Sequence, residues 1–173
     1  MGKITLITGG TRSGKSAHAL RLATEHRQAR RAFVATAEVS DQEMAARIAR
    51  HKAERSPDFE TIEEPIDLVR ALAALRGRAD VVVIDSLTLW VSNLMQARGA
   101  EHSFDLESEA LARAMAEADF QSIVITDEVG AGIVPDNALA RRFRDLLGLA
   151  NQRIARAADA VILMVAGYPL TVK

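Results

Sequence analysis

The sequence predicts an α/β protein in which a doubly wound, mostly parallel sheet is flanked by helices. Apolar, β-prone runs alternate with helix-like segments along the chain, and this alternation is typical of a parallel sheet. A phosphate-binding motif at residues 9–16 stands between the first run and the first helix. Polar residues, among them Thr36, Asp85 and Asp127, follow later runs. Because ligands of such sheets bind at the carboxyl ends of the strands, we expect these residues to line one crevice.

The motif reads Gly-Gly-Thr-Arg-Ser-Gly-Lys-Ser from Gly9 to Ser16 and matches G-x-x-x-x-G-K-[ST] in full, the P-loop pattern. Its glycines let backbone N–H groups turn toward an anion. Lys15 supplies an ammonium group for the outer phosphates, and Ser16 supplies a hydroxyl for Mg²⁺. The alternative is a chance match in a glycine-rich loop. This alternative is disfavoured by the β-prone run before the motif and by the helical stripe after it.

Composition narrows the class of protein. A chain of 173 residues is long enough for one domain with a sizeable core and too short for two, so residues 1–173 are expected to form a single nucleotide-binding domain. Hydrophobic residues make up 49% and charged residues 26%, which is typical of soluble globular proteins. The net charge of −1 argues against a dedicated nucleic-acid surface.

Location is predicted from what the sequence lacks. There is no cysteine, which excludes disulfides and thiolate metal sites and favours a reducing compartment, here the cytoplasm. No signal peptide is apparent before the first apolar run. No apolar stretch approaches the roughly 20 residues that span a bilayer.

The first half of the chain is predicted to hold two strands and three helices. Strands are expected at residues 4–8 and 32–36, and a helix follows the P-loop. Ser40, with Glu43 three residues later, forms a capping box that begins a second helix ending near Arg55. Residues 61–64 are expected to be a connection. Pro65 fits the first position of a third helix, whose predicted core stripe is Leu68, Val69, Leu72 and Leu75, with Gly77 as its C-cap.

The second half repeats the alternation. Residues 81–84 form a continuous apolar run typical of a central parallel strand covered on both faces. Residues 122–126 are expected to form the next buried strand, and residues 160–165 the last strand. Helices are predicted over residues 87–98 and 105–118. A glycine-bearing loop at 127–137 leads to a long helix that ends near residue 157.

Asp85 ends an apolar strand, where a carboxylate can hold Mg²⁺ opposite Ser16. The alternative is an N-cap, since a helix follows at once. The P-loop upstream favours the metal role.

His51 and Glu128 are the two other candidates for chemistry. His51 lies on a helical stripe and is either a half-buried structural histidine or a nucleophile, because imidazole is largely neutral near pH 7. Basic residues surround it in the sequence: Arg47, Arg50, Lys52 and Arg55. Glu128 follows a strand and is either a turn residue or a carboxylate that faces the crevice. Both alternatives stay open for each residue.

Several stretches together resemble one family. The segments are residues 8–16, 35–37, 45–52, 85–94, 128–135, 141–145, 151–152 and 167–169. In this order, across nearly the whole chain, they resemble the bifunctional adenosylcobinamide kinase/adenosylcobinamide-phosphate guanylyltransferase family of cobalamin biosynthesis. The histidine segment and the Glu-Val-Gly-x-Gly-Ile-Val-Pro loop are far more specific than the P-loop.

The resemblance implies two reactions and a RecA-like P-loop fold. ATP or GTP phosphorylates the aminopropanol hydroxyl of adenosylcobinamide, and GMP then passes from GTP through a guanylylated histidine to give adenosylcobinamide-GDP. It also implies Mg²⁺ and a trimer. The guanylylated histidine falls on His51. The nucleotide contacts fall on Gly9, Gly10, Thr11, Arg12, Ser13, Gly14, Lys15, Ser16, Ala35, Thr36, Ala37, Lys52, Ala53, Glu54, Arg55, Glu63 and Asp85.

The chain departs from the family pattern at four positions. Ser56 stands between Arg55 and Pro57, Phe59 replaces a usual Trp, and Ser86 replaces a frequent Cys. Asp127 stands where Asn is usual, which adds a negative charge near the site. Two other functions compete with the resemblance: a simple P-loop kinase, which gives His51 no task, and a non-catalytic nucleotide-binding module, which the Ser16 and Asp85 pair disfavours.

Overall fold

The computed structural model describes residues 2–25, 29–38, 42–53, 56–99 and 101–173. Within 42–53, the backbone alone is described for Met44, Arg47, Arg50, His51 and Ala53. The predicted capping residue Ser40 lies outside these ranges. The elements in chain order are β1 Ile4–Gly9, α1 Lys15–Thr24, β2 Arg31–Ala35, α2 Gln42–Ala53, β3 Phe59–Glu63, α3 Leu68–Leu75, β4 Val81–Asp85, α4 Leu87–Arg98, α5 Asp105–Ala116, β5 Gln121–Ile125, α6 Ala138–Ala157, β6 Ala160–Val165 and β7 Tyr168–Thr171.

Across the described residues, the strands form one sheet in the order β3-β2-β4-β5-β1-β6-β7. All neighbouring strands are parallel except β6 and β7, which pair antiparallel. This confirms the predicted mostly parallel α/β sheet. Strand β5 lies between the P-loop strand β1 and the strand β4 that ends in Asp85, so the carboxyl ends of these three strands are adjacent.

Both edge strands were missed by the sequence prediction. The segment predicted as a connection belongs to β3, which pairs with β2 from Phe59 opposite Arg31 to Glu63 opposite Ala35. The strand β7 follows β6 after a two-residue turn, and all four of its residues are exposed. Edge strands carry little of the apolar pattern of central strands, because only part of their surface meets the core.

The central strands are buried on both faces, which explains their uninterrupted apolar runs. On one face, Val82 and Ile84 of β4 pack into the large cluster that also contains residues of α3, α4, α5 and α6. On the other face, Val83 joins a smaller cluster with Ala19 and Ala23 of α1. Leu87, Leu111 and Leu147 are fully buried in the large cluster. Most of the helical packing therefore lies on one side of the sheet.

The helix after the β3 strand begins later than the sequence predicts. Leu68, not Pro65, is the first residue of α3, and Asp67 is its N-cap, because the Asp67 side chain accepts a hydrogen bond from the backbone N–H of Arg70. Val69 is 38% exposed and lies outside the buried stripe, which consists of Leu68, Ala71, Leu72 and Leu75. The C-cap is Arg76, and Gly77 follows it with a φ of 70°.

A buried polar network joins the ends of β2 and β4 to helix α4. The Thr36 hydroxyl donates to the Ser86 carbonyl at 2.9 Å and accepts from the Ser86 N–H at 2.7 Å. The Asn93 amide donates to the Thr36 and Pro65 carbonyls at 2.8 and 3.1 Å. Because buried polar groups are costly when unpaired, this network fixes the position of α4 at the carboxyl edge.

None of the helices in the described ranges has the length and apolar composition that crossing a bilayer requires.

Replacing Asn93 with Ala should lower stability without changing the fold class. Asn93 is 7% exposed, so its loss leaves two carbonyls without their donor, at a cost of about 1–3 kcal/mol in unfolding free energy. Urea unfolding measures this change. The exposed Gln96→Ala in the same helix is the control, expected to stay within about 0.5 kcal/mol of the parent. Equal midpoints for the two variants would contradict the structural role of Asn93.

Candidate functional site

The P-loop has the backbone shape that its glycines allow. Gly9 ends β1 with a φ of 149°, and Gly14 caps α1 with a φ of 96°. A Cβ atom at Gly9 would lie 2.6 Å from the Met164 carbonyl oxygen, which excludes any side chain there. The Gly167 N–H donates to the Ser13 carbonyl at 2.9 Å, so the turn between β6 and β7 braces the loop.

Lys15 lies at the centre of the site and is 9% exposed in its side chain. Its ammonium group donates to the Gly9 and Gly10 carbonyls at 3.0 and 2.7 Å. It also forms an ion pair with an Asp127 carboxylate oxygen at 2.7 Å. The ammonium is therefore held over the loop, between the carboxyl ends of β1 and β5, where a triphosphate bound by the P-loop would place its outer phosphates.

Ser16 and Asp85 meet as the sequence predicts. The Ser16 hydroxyl oxygen lies 3.5 Å from Asp85 Oδ2, close enough for one cation to contact both oxygens. Mg²⁺ commonly uses one or two protein carboxylates together with substrate phosphates and water, and the pair fits this requirement. The cap of α4 is Ser86, whose hydroxyl accepts from the Leu89 N–H at 3.3 Å. The alternative assignment of Asp85 as that cap is therefore wrong.

Asp127 is positioned by side chains from two helices. Its N–H donates to the Thr88 hydroxyl of α4 at 2.9 Å. Its carbonyl accepts from the Asn151 amide of α6 at 3.1 Å, and Asn151 also accepts from the Thr126 hydroxyl at 2.7 Å. These contacts fix the backbone just past β5, so that the carboxylate meets Lys15. The sequence predicted an added negative charge near the site, and the structure identifies the partner of that charge.

Glu128 faces the P-loop, which favours the crevice interpretation over the turn interpretation. Its Oε1 accepts from the Thr8 hydroxyl at 2.8 Å, and its N–H donates to the Gly9 carbonyl at 3.2 Å. The residue itself is exposed. Thr8, Thr88 and Asn151 stand in segments that carry the family resemblance, but their roles could not be assigned from the sequence, because each depends on a contact between distant segments.

A second group of predicted site residues lies further along the same edge of the sheet. Lys52 of α2 and Glu63 at the end of β3 form an exposed ion pair at 2.5 Å, so the C-terminal part of α2 lies near that strand end. His51 belongs to α2, with its side chain outside the described atoms, and Glu54 and Arg55 lie outside the described residues. Four strand spacings separate β3 from β1, roughly 19 Å.

The Ala35–Ala37 segment lies between the two groups, at the end of β2. Ala35 and Thr36 are buried, and Ala37 is partly exposed. The Thr36 hydroxyl is hydrogen-bonded to the backbone of Ser86, so in this structure the side chain contributes to the stability of the fold. Direct nucleotide contacts by this segment stay a prediction.

His18 and His102 have packing and surface positions, respectively. Burial, reinforced by the nearby Arg21 guanidinium, lowers the pKa of His18 below its ordinary value. His102 lies on the surface beside Glu107, and His26 is outside the described residues. Trp90 is 2% exposed, and its indole N–H donates to the Ile66 carbonyl at 2.8 Å, which assigns it to the core.

A glycine loop that leads into a helix, a lysine over that loop, and a serine beside a strand-end carboxylate together define a P-loop nucleotide-binding protein. The sheet supports the RecA-like class. The flagellar accessory protein FlaH from Methanocaldococcus jannaschii aligns with a TM-score of 0.57 at 16% identity, over 99% of this chain and 78% of that one. The RadB recombinase aligns with a TM-score of 0.56 at 17% identity, over 94% and 74%.

Sequence comparison narrows the class to one family. Residues 5–172 match the model of the family described as cobinamide kinase/cobinamide phosphate guanyltransferase. A bifunctional adenosylcobalamin biosynthesis protein of Salmonella typhimurium, CobU, is 38% identical over 97% of this chain and 98% of its own length. The corresponding Pseudomonas aeruginosa protein, CobP, is 39% identical over 97% and 96%. The chain therefore belongs to the cobinamide kinase/cobinamide phosphate guanyltransferase family.

Replacing Asp127 with Asn should tighten the binding of Mg²⁺–GTP. A bound triphosphate competes with the Asp127 carboxylate for Lys15, and the neutral amide removes that competitor along with its repulsion of the phosphates. We expect a two- to tenfold lower dissociation constant, about 0.4–1.4 kcal/mol for a partly exposed pair, measured by isothermal titration calorimetry.

The control is Asp136→Asn, which removes an exposed carboxylate from the same loop. Weaker binding by Asp127→Asn than by this control would contradict the competition and would instead make Asp127 a contributor to nucleotide binding.

Proposed function

We propose that the chain catalyses two consecutive transfers in cobalamin biosynthesis. ATP or GTP first phosphorylates the aminopropanol hydroxyl of adenosylcobinamide. GMP then passes from GTP, through His51, to adenosylcobinamide phosphate and gives adenosylcobinamide-GDP. The observation that carries the proposal is the convergence of Lys15, Ser16 and Asp85 at one sheet edge, in a chain that matches the family over residues 5–172.

The kinase step depends mainly on positioning and electrostatics. Phosphoryl transfer spreads negative charge over the oxygens of the transferred group, so the protein contributes by holding that group and offsetting its charge. The N–H groups of the P-loop and the N-terminus of α1 face the phosphates. Lys15 exchanges its contacts with the Gly9 and Gly10 carbonyls for the outer phosphate oxygens.

The Ser16 hydroxyl and the Asp85 carboxylate are the residues that would hold Mg²⁺. When bound, the ion neutralises charge on the phosphate oxygens and helps to fix their orientation. Asp85 ends a strand buried on both faces, so this carboxylate is carried by a rigid element.

The guanylyl step needs a nucleophile, and His51 is the residue assigned to it. A neutral imidazole nitrogen attacks the α-phosphorus of GTP, the bond to pyrophosphate breaks, and a histidine–GMP phosphoramidate forms. The phosphate of adenosylcobinamide phosphate then displaces the histidine. The ion pair between Lys52 and Glu63 supports this assignment, because it brings the end of α2 to the same sheet edge as the P-loop.

The chain is also proposed to act as a single nucleotide-binding domain, to assemble as a homotrimer and to work in the cytoplasm. These three properties rest on the family resemblance and on the composition of the chain.

Incubation with GTP and Mg²⁺, followed by intact mass measurement, tests the proposed function most directly. The expected result is a protein that has gained one GMP, with the adduct labile to acid and stable to base. Phosphorylation of adenosylcobinamide without any adduct would reduce the function to that of a simple P-loop kinase.

Replacing His51 with Ala should abolish the GMP adduct and leave measurable kinase activity. The γ-phosphoryl group passes directly to the substrate hydroxyl, so the kinase step needs no protein nucleophile. Intact mass and corrinoid phosphorylation measure the two steps separately. His102→Ala is the matched control, because this surface histidine lies in the connection between α4 and α5. An adduct that persists in His51→Ala would place the nucleophile elsewhere.

Replacing Lys15 with Ala should disable both reactions, provided that one triphosphate cradle serves them. Loss of a charge-assisted contact costs about 1.5–3 kcal/mol of phosphate binding, and the loss in turnover adds to this. Circular dichroism should show an intact fold. Formation of the adduct at the parent rate in this variant would show that guanylylation uses a nucleotide site other than the P-loop.

A further inference from the structure

The two proposed reactions differ in the acceptor that the phosphorus group meets. In the kinase step the acceptor is an alcohol, which must lose a proton as its oxygen bonds to phosphorus. In the guanylyl steps the acceptors are a neutral imidazole and a phosphate that is already an anion near pH 7. Only the kinase step therefore requires a group that takes a proton from the acceptor.

Three carboxylates lie at the P-loop edge, and their partners differ. Asp85 is beside Ser16 and belongs to the magnesium pair. Asp127 forms the ion pair with Lys15, so its charge is directed at the phosphate-binding ammonium. Glu128 instead accepts a hydrogen bond from the neutral hydroxyl of Thr8. Among these three, Glu128 is the carboxylate that pairs with neither Lys15 nor Ser16 in the described part of the chain.

The position of Glu128 matches the requirements for such a group. Its N–H donates a hydrogen bond to the carbonyl of Gly9, the first residue of the P-loop. Its carboxylate accepts a hydrogen bond from the hydroxyl of Thr8, the residue before Gly9. The adjacent residue Asp127 contacts Lys15, so Glu128 lies at the same edge of the sheet as the ammonium group assigned to the outer phosphates. It is also exposed, as it must be to meet a hydroxyl carried on an arm of a large corrin ring.

We propose that Glu128 accepts the proton of the corrinoid hydroxyl in the kinase step, an assignment that rests on the proposed function. The hydroxyl oxygen forms a bond to the γ-phosphorus, the bond between that phosphorus and the β–γ bridging oxygen breaks, and the nucleoside diphosphate leaves with the electron pair. The hydroxyl proton passes to a Glu128 carboxylate oxygen and from there to water after the product departs.

Thr8 acts in this step as a positioning residue. It is 7% exposed, and its hydroxyl donates to Oε1 of Glu128 at 2.8 Å. This hydrogen bond orients the carboxylate and leaves Oε2 to meet the substrate. Thr8→Val keeps the shape of the side chain and removes the donor, so it should lower the kinase rate less than the loss of the carboxylate does.

Glu128→Gln tests the assignment because it keeps the size of the side chain and removes its ability to take a proton. The kinase turnover number at saturating ATP and adenosylcobinamide should fall about 100-fold or more. The GMP adduct, and transfer of GMP to added adenosylcobinamide phosphate, should stay within about threefold of the parent. Asp136→Asn, an exposed carboxylate of the same loop, should leave all three rates unchanged.

Each other outcome overturns the assignment in a recognisable way. Kinase turnover within about threefold of the parent in Glu128→Gln would remove the proton-accepting role. Equal loss of kinase activity and adduct, with the fold intact by circular dichroism, would make Glu128 part of the shared nucleotide site. If Glu128→Gln does not fold, Glu128→Ala is measured instead, with the same expected split between the reactions. A parent protein that forms neither adduct nor corrinoid phosphate would overturn the proposed function itself.

Discussion

The insertion of β5 between β1 and β4 is the constraint on which the site depends. Each of these strands ends at the same edge of the sheet and delivers a different group there. Strand β1 leads to the P-loop and Lys15, strand β4 ends in Asp85, and strand β5 is followed by Asp127 and Glu128. If β4 paired directly with β1, the loop after β5 would lie away from the P-loop, and the ion pair between Lys15 and Asp127 could not form.

Rigidity at this edge comes from polar contacts that would be costly to leave unpaired. Asn93 and Thr36 connect α4 to the ends of β2 and β4, while Asn151 and Thr88 hold the backbone beside Asp127. These amides and hydroxyls are buried or partly buried, and they contact the backbone next to the groups assigned to chemistry. A site that works by electrostatic positioning needs such support, because a small displacement of a charge changes its interaction with the phosphates.

Along the edge, the groups assigned to the two transfers are separated. The P-loop group lies at the end of β1, while α2 and the Lys52–Glu63 pair lie near the outer strand β3. The chemical requirements of the two proposed transfers differ in the same way. Phosphorylation of an alcohol needs a charge-neutralising cradle and a proton acceptor, whereas guanylyl transfer needs a nucleophile and an anionic acceptor. On this assignment, the two proposed reactions would use different groups along one edge of the sheet.

The sequence by itself determined the P-loop, the alternation of central strands and helices, and the strand-end position of Asp85. Each of these features follows from the local spacing of residues or from a continuous apolar run. It could not determine the edge strands β3 and β7, whose short and largely exposed segments lack that pattern. Nor could it decide that Ser86 caps α4, that Asp127 pairs with Lys15, or that Glu128 is held by Thr8. Those contacts join segments more than a hundred residues apart in two of the three cases. These two contacts follow from the order of strands in the sheet, which only the tertiary structure decided. The Ser86 cap is a local contact, but Asp85 and Ser86 are adjacent and both can cap a helix, so the structure was needed to choose between them.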